Sequence, residues 1–184
     1  MSIRRRDVLL TASAAVLLSA TPGRAAGDAD NTVYLDTKNG RITIQLRPDL
    51  APNHVAQIKT LIGQHFYDGI VFHRVITGFM AQTGDPTGTG MGGSKLPDLK
   101  AEFTSTPFKR GTLGMARSQD PDSANSQFFI CLGDAGFLNN QYTAFGQVTA
   151  GMDVVDKVKK GAEDDNGKVS NPDKIVKMRL ASEK

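Results

Sequence analysis

Two short runs near the front of the chain alternate apolar and polar side chains, Thr32 to Asp36 and Arg41 to Leu46. Alternation of period two puts one face of an extended strand in a core and the other in water. Asn39-Gly40 joins the two runs and is the strongest short hairpin signal. Pro48 and Pro52 flank a turn, and Pro52 at a first helical position opens a helix over about 53–64. Its Val55, Ile58, Leu61 and Ile62 share one face. Strands follow over Val71–Ile76 and Phe79–Thr83, with a turn at Thr77-Gly78 between them, and residues 84–100 form a Gly-rich loop of little periodicity. Further strands are predicted at Thr112–Arg117, Gln127–Leu132 and Ala144–Val148. Gly151 to Lys160 reads as a second amphipathic helix, with Met152, Val155 and Val158 inward, Lys159-Lys160 at its C-terminal end and Gly161 stopping it. Residues 162–173 are a polar connection, and Ile175 to Leu180 alternates as a last strand. Seven or eight strands with two helices argue against a βαβ succession and for an antiparallel barrel or sandwich. Neither repeats nor linkers interrupt the pattern, so one domain is expected from about 31 to 182.

Composition changes this picture at one end only. The 184 residues, 39% hydrophobic and 22% charged, suit a single globular domain with a real core. Of 22 basic and 19 acidic residues, Arg4, Arg5, Arg6, Arg24 and Asp7 lie in the first 26, which leaves 18 of each sign beyond them. The basic balance is therefore a targeting signal and not a footprint for nucleic acid. Arg4-Arg5-Arg6 forms a charged start, Val8 to Ala20 a weakly apolar run, and Gly23-Arg24-Ala25 or Ala26 a small-residue cleavage point. Arg5-Arg6-Asp7-Val8-Leu9 resembles a twin-arginine export motif, with Arg4 in place of the usual Ser/Thr. Residues 1–26 thus read as an export signal peptide and the mature protein as periplasmic, with the general secretory route as the alternative. The apolar run is too short for stable membrane insertion.

Candidate chemistry concentrates in Phe72-His73-Arg74 and in Phe79-Met80-Ala81-Gln82. A permanently charged guanidinium and an amide lie here beside large apolar side chains. The strand Ser126-Gln127-Phe128-Phe129-Ile130 could wall the same hollow. On residue type alone, Phe79, Met80, Phe129 and Leu138 read as core. Cys131 is the only cysteine, so no intrachain disulfide can form, and its apolar neighbours indicate an inert thiol. Gly88-Thr89-Gly90-Met91-Gly92-Gly93 matches a dinucleotide fingerprint but lacks its helix, because Pro97 falls where that helix would run. His54, His65 and His73 have no metal-ligand spacing, and His73 reads as a hydrogen-bonded structural histidine. Ser94 lacks the strand-to-helix elbow of a nucleophile, Asp120 and Asp122 are turn residues, and Glu163-Asp164-Asp165 is a solvated acidic run. No metal or cofactor is expected.

Phe72-His73-Arg74, Phe79-Met80-Ala81-Gln82, Gly84-Asp85-Pro86-Thr87-Gly88, Gly90-Met91-Gly92-Gly93 and Ser126 to Ile130 together resemble the signature of the cyclophilins, over roughly 150 residues. The resemblance implies peptidyl-prolyl cis–trans isomerase activity and a mainly β fold, a closed eight-stranded antiparallel barrel with a helix capping each end. It implies Arg74, Gln82 and Phe79 as catalytic residues, and Met80, Ala116, Arg117, Gln127, Phe129, Phe137, Leu138 and Tyr142 as substrate-binding ones. The implied partners are proline-containing polypeptides, bound by a monomer. Phe137 stands where cyclosporin-sensitive members carry tryptophan, so any cyclosporin binding is expected to be weak. Arg117 replaces a frequent asparagine, Tyr142 a frequent histidine and Thr83 a frequent glycine. A peptide-binding holdase without catalysis and an unrelated small-molecule-binding barrel are the alternatives, since fold alone does not fix function.

Overall fold

The computed structural model describes residues 29–183. The expected export leader, residues 1–26, lies outside the described residues. The strands are β1 (Thr32–Thr37), β2 (Gly40–Leu46), β3 (Arg74–Ile76), β4 (Met80–Thr83), β5 (Thr112–Met115), β6 (Phe128–Cys131), β7 (Ala144–Ala150) and β8 (Ile175–Leu180). The helices are α1 (Pro52–Gly63) and α2 (Met152–Asp156), with short 3-10 turns at Gly136–Leu138 and Glu163–Asp165. The strands form one antiparallel sheet in the order β3-β4-β6-β5-β7-β2-β1-β8.

β3 and β8 are the two edges of that sheet, so the barrel is an open half-barrel and not the closed one expected. The reason lies at β3, only three residues long, whose free edge is taken by the segment 161–169 instead of by β8. Gly161 N donates to Val75 O at 2.9 Å, Val75 N to Gly167 O at 2.8 Å, and Val169 N to His73 O at 3.0 Å. Between Val71 and Lys174 there is a single isolated bridge. Covering an edge with a loop satisfies its main chain as closure would.

Register explains why β5 and β6 do not alternate. Val75, Ala81, Ile130 and Leu113 pair in a row across β3, β4, β6 and β5, and all four are fully buried in the main core. The adjacent row runs Arg74, Gln82, Phe129 and Gly114, and its side chains lie on the opposite face. That outer face carries a second apolar cluster, including Met80, Phe108, Phe129, Cys131 and Leu138. Strands buried on both faces read as continuous apolar runs.

Several boundaries differ from the sequence reading. Phe79 closes a turn and does not start β4: its N–H donates to Ile76 O at 3.1 Å, and Gly78 sits at φ 73, a conformation glycine adopts without strain. α2 ends at Asp156, four residues short of the expected Lys160, and buries Val154 and Val155 while Met152 is only partly buried. Lys160 lies past this end yet its Nζ still donates to Asp156 O at 2.6 Å and Val158 O at 2.8 Å. Gly161 does not stop the helix. A Cβ there would sit 1.8 Å from Gly167 O, so its role is close approach of two backbones. In β8 the register against β1 shifts between Asp36 and Thr37, which leaves Val176 exposed and breaks the expected alternation.

The start of α1 is capped from a distance. Ala51 supplies no side-chain cap, and Glu102 accepts from Asn53 N and His54 N at 3.1 Å each and contacts His54 Nδ1 at 2.6 Å. Burial pushes the Glu102 carboxyl up, but these partners outweigh it and hold the pKa below the usual value.

Candidate functional site

One cavity of about 440 Å³ opens on the outer face of β3, β4, β6 and β5. Arg74, Phe79, Met80, Gln82, Ala116 and Arg117 line it, and so do Phe129, Phe137, Leu138 and Tyr142. Of the eleven residues expected at the site, only Gln127 is not on this wall. The row of paired positions explains the convergence: Arg74 faces Gln82 and Gln82 faces Phe129 across neighbouring strands, on the same face. Met80 enters from β4, Phe79 from the turn before it, and Phe137 and Leu138 from the 3-10 turn after β6.

The apolar wall is held by ring contacts. Phe129 packs against Phe108 and Tyr142 at centroid distances of 6.0 Å each, and Phe79 meets Phe137 at 5.2 Å. Met80, Phe129 and Leu138 are buried at 1%, 5% and 6% exposure, whereas Phe137 is 64% exposed and forms a rim. The Arg117 guanidinium lies over the Tyr142 ring at 4.5 Å and donates to Ser118 O at 2.9 Å and Gln141 O at 3.0 Å. Arg117 thus ties the segment after β5 to the 141–142 turn, and it also lines the cavity.

The polar side of the cavity is a chain of hydrogen bonds. Arg74 Nη1 donates to Gln82 Oε1 at 3.2 Å, and Gln82 Nε2 donates to Gln127 Oε1 at 2.9 Å. Gln127 Nε2 in turn donates to Gly90 O at 3.0 Å and Gly92 O at 2.8 Å. Gln127 therefore braces the Gly-rich loop from a neighbouring hollow of about 530 Å³, which also shares Gln82, Ala116 and Arg117 with the first. The Ala116 N–H is engaged by Gln127 O at 2.9 Å.

On its other side Arg74 meets a residue that sequence reasoning passed over. Its Nε donates to Asn166 O at 3.0 Å and its Nη2 to Asn166 Oδ1 at 2.9 Å. Residues 162–173 read as a bland polar connection, although Asn166-Gly167 is a turn dipeptide of the kind used at Asn39-Gly40. Gln141 also lines the cavity without having been singled out. Partial burial lowers the Arg74 pKa from its ordinary value, with Tyr142 opposing the shift, yet a guanidinium stays charged at any physiological pH.

His73 corrects an expectation. It is 6% exposed, but neither ring nitrogen has a hydrogen-bond partner among the described residues. Burial lowers its pKa, against the opposing pull of the Asp85 carboxylate, and favours the neutral ring. Its edge packs near Gly90, and no hydrogen bond carries it into the Arg74 network. A fixed cation and a held amide beside an apolar hollow can bind a compact apolar ring and direct a charged donor at an atom next to it.

The chain is similar to known proteins along most of its length. The family model described as cyclophilin type peptidyl-prolyl cis-trans isomerase matches residues 32–180. A Brucella suis protein named "Probable peptidyl-prolyl cis-trans isomerase" is 52% identical, over 100% of this chain and 99% of its own. An Acinetobacter baylyi peptidyl-prolyl cis-trans isomerase is 36% identical over 84% of this chain and 87% of its own. Among solved structures, a Hirschia baltica cyclophilin aligns with TM-score 0.77 at 28% identity, covering 85% of this chain and 76% of its own. A Cryptosporidium parvum cyclophilin-type isomerase, crystallised in the presence of the dipeptide Ala-Pro, aligns with TM-score 0.75 at 28% identity, covering 81% of this chain and 98% of its own.

Proposed function

The chain belongs to the cyclophilin-type peptidyl-prolyl cis–trans isomerases, and from that premise we propose that it twists X–Pro bonds of exported polypeptides at the cavity between Arg74 and Phe129. Unaided, such a bond turns over in tens to hundreds of seconds against a barrier near 20 kcal/mol. A millisecond event needs about five powers of ten, or about 7 kcal/mol. At the twisted transition state amide resonance is lost, the proline nitrogen regains its lone pair and charge separation falls. An apolar hollow favours that less polar state, and a donor aimed at the nitrogen favours it further.

Arg74 is the donor in this reading. Of the five guanidinium N–H groups, the bonds to Asn166 and Gln82 occupy three, which leaves two for the cavity. This count is the observation that carries the proposal. A charge-assisted bond made only in the twisted state supplies about 3 of the 7 kcal/mol. Met80, Phe129 and Leu138 take the proline ring, Phe79 and the exposed Phe137 close its rim, and Gln82 holds Arg74 and the adjoining carbonyl. Ala116, Arg117, Gln127 and Tyr142 border the path of the flanking peptide. The Cryptosporidium neighbour was crystallised in the presence of Ala-Pro, a dipeptide of the chemistry this hollow suits.

The exported, periplasmic setting rests on the leader pattern of residues 1–26 and is tested by N-terminal sequencing of protein from the cell envelope. With phenylalanine at 137 and no indole donor, cyclosporin binding is weak in this reading, and the protein acts as a monomer. The central test is a protease-coupled or NMR exchange assay on X–Pro peptides. Arg74→Ala lowers kcat/KM by at least about a hundredfold, and an unchanged rate removes Arg74 from the mechanism.

A further inference from the structure

We propose that Asn166 is a positioning residue for the isomerase reaction: it sets the orientation of the Arg74 guanidinium, and so which two N–H groups face the substrate. The inference rests on the reading of Arg74 given above. Asn166 grips one edge of the guanidinium twice, from its main-chain oxygen to Nε at 3.0 Å and from its side-chain oxygen to Nη2 at 2.9 Å. Gln82 supplies only one bond, to Nη1 at 3.2 Å. A planar fork held at one edge by two acceptors cannot rotate about its own axis, whereas a single amide contact leaves that rotation open.

The turn that carries Asn166 is built for this. Asn166 and Gly167 take φ values of 50 and 78, and Lys168 N donates to Asp165 O at 2.9 Å, a two-residue turn with both central residues left-handed. Asparagine tolerates that conformation better than other residues with a side chain. Gly167 tolerates no side chain: a Cβ would lie 2.4 Å from Ile76 Cγ1. The turn is also tied to β3 on both sides of Arg74, through Val75 N to Gly167 O at 2.8 Å and Val169 N to His73 O at 3.0 Å. Gly161 N to Val75 O at 2.9 Å completes the anchor. Asn166 therefore moves with the strand that carries Arg74, and the geometry between them survives motion of the exposed loop. A β3 of three residues on the sheet edge offers no such rigidity alone.

The test is a set of variants measured for kcat, KM and thermal midpoint on one X–Pro peptide. Asn166→Gly keeps the left-handed backbone and the main-chain acceptor and deletes the side chain, with the oxygen that accepts from Arg74 Nη2. It is expected to lower kcat/KM about tenfold, mainly in kcat, with an unmoved thermal midpoint. Asn166→Asp keeps an acceptor in place and restores kcat/KM to within about twofold of wild type. In an Arg74→Ala background, Asn166→Gly has no further effect, since its route runs through the missing guanidinium. The Arg74 Nε–H resonance is expected to shift in Asn166→Gly, and an unmoved resonance counts against the inference. A fully active Asn166→Gly beside a crippled Arg74→Ala overturns this inference alone, as does an equal loss from Asn166→Gly in the Arg74→Ala background. A fully active Arg74→Ala overturns the Arg74 reading first and this inference with it.

Discussion

Asp85 offers a perturbation whose size can be worked from the structure. It is 1% exposed and accepts from Thr87 N at 2.7 Å, Thr87 Oγ1 at 2.8 Å, Thr89 N at 3.0 Å and Gly90 N at 2.6 Å. Burial alone would push its carboxyl up, but the donors from Thr87, Gly92 and Gly90 outweigh burial and bring the pKa from 3.8 to about 2. A shift of that size corresponds to about 2.5 kcal/mol of folding stability at neutral pH. Because the folded value lies below the unfolded one, the contribution is complete above about pH 5 and fades as the pH falls towards 2, with about half remaining at pH 3. Asp85→Asn removes the charge and turns an amide N–H₂ towards backbone donors, so its cost at pH 7 is at least this large. The chain has no tryptophan, so urea unfolding is followed by far-ultraviolet circular dichroism, at several pH values from 7 to 3. The variant should lose at least about 2.5 kcal/mol at pH 7, with the gap to wild type narrowing by about 1 kcal/mol at pH 3. A gap below about 1 kcal/mol at pH 7, or one that does not narrow on acidification, refutes the argument that these donors act on an ionised carboxylate.

Two further outcomes follow from the same structure. Tyr67 is fully buried with its hydroxyl donating to Ser126 O at 3.0 Å; Tyr67→Phe should cost about 1–2 kcal/mol in urea unfolding while kcat/KM stays at wild type, because no cavity-lining side chain moves. Cys131 is buried and burial raises its thiol to about 12, so iodoacetamide at pH 8 should leave the native protein unmodified and alkylate it only in denaturant; rapid native alkylation would contradict the buried, inert assignment.

Elements with a one-sided environment were legible in the sequence. β1 and β2, their Asn39-Gly40 turn and the buried face of α1 follow from period and turn chemistry, since local sterics and one apolar face decide them. The motif around Arg74 and Gln82 was visible for a different reason: a fixed cation and an amide among large apolar side chains are costly in a plain core. The openness of the sheet was not legible, because it depends on whether β8 or the 161–169 segment takes the edge of β3, a competition between pairings far apart in the chain. α2 is shorter than its pattern for a similar reason: Lys159 N is claimed by Asp173 Oδ2 at 2.9 Å, a partner fourteen residues on.

Local chemistry along the chain thus determined the front hairpin and the main helix and drew attention to Arg74, because each depends on neighbours within a few residues. Tertiary structure alone decided that Arg74, Gln82 and Phe129 stand in one row, and that Gln127 braces a loop from the adjoining hollow. It also brought Asn166 to Arg74, ninety-two residues apart in sequence. Register across strands and the closing of long loops set those contacts, and no local pattern of side chains encodes the distance between segments that meet only in the folded chain.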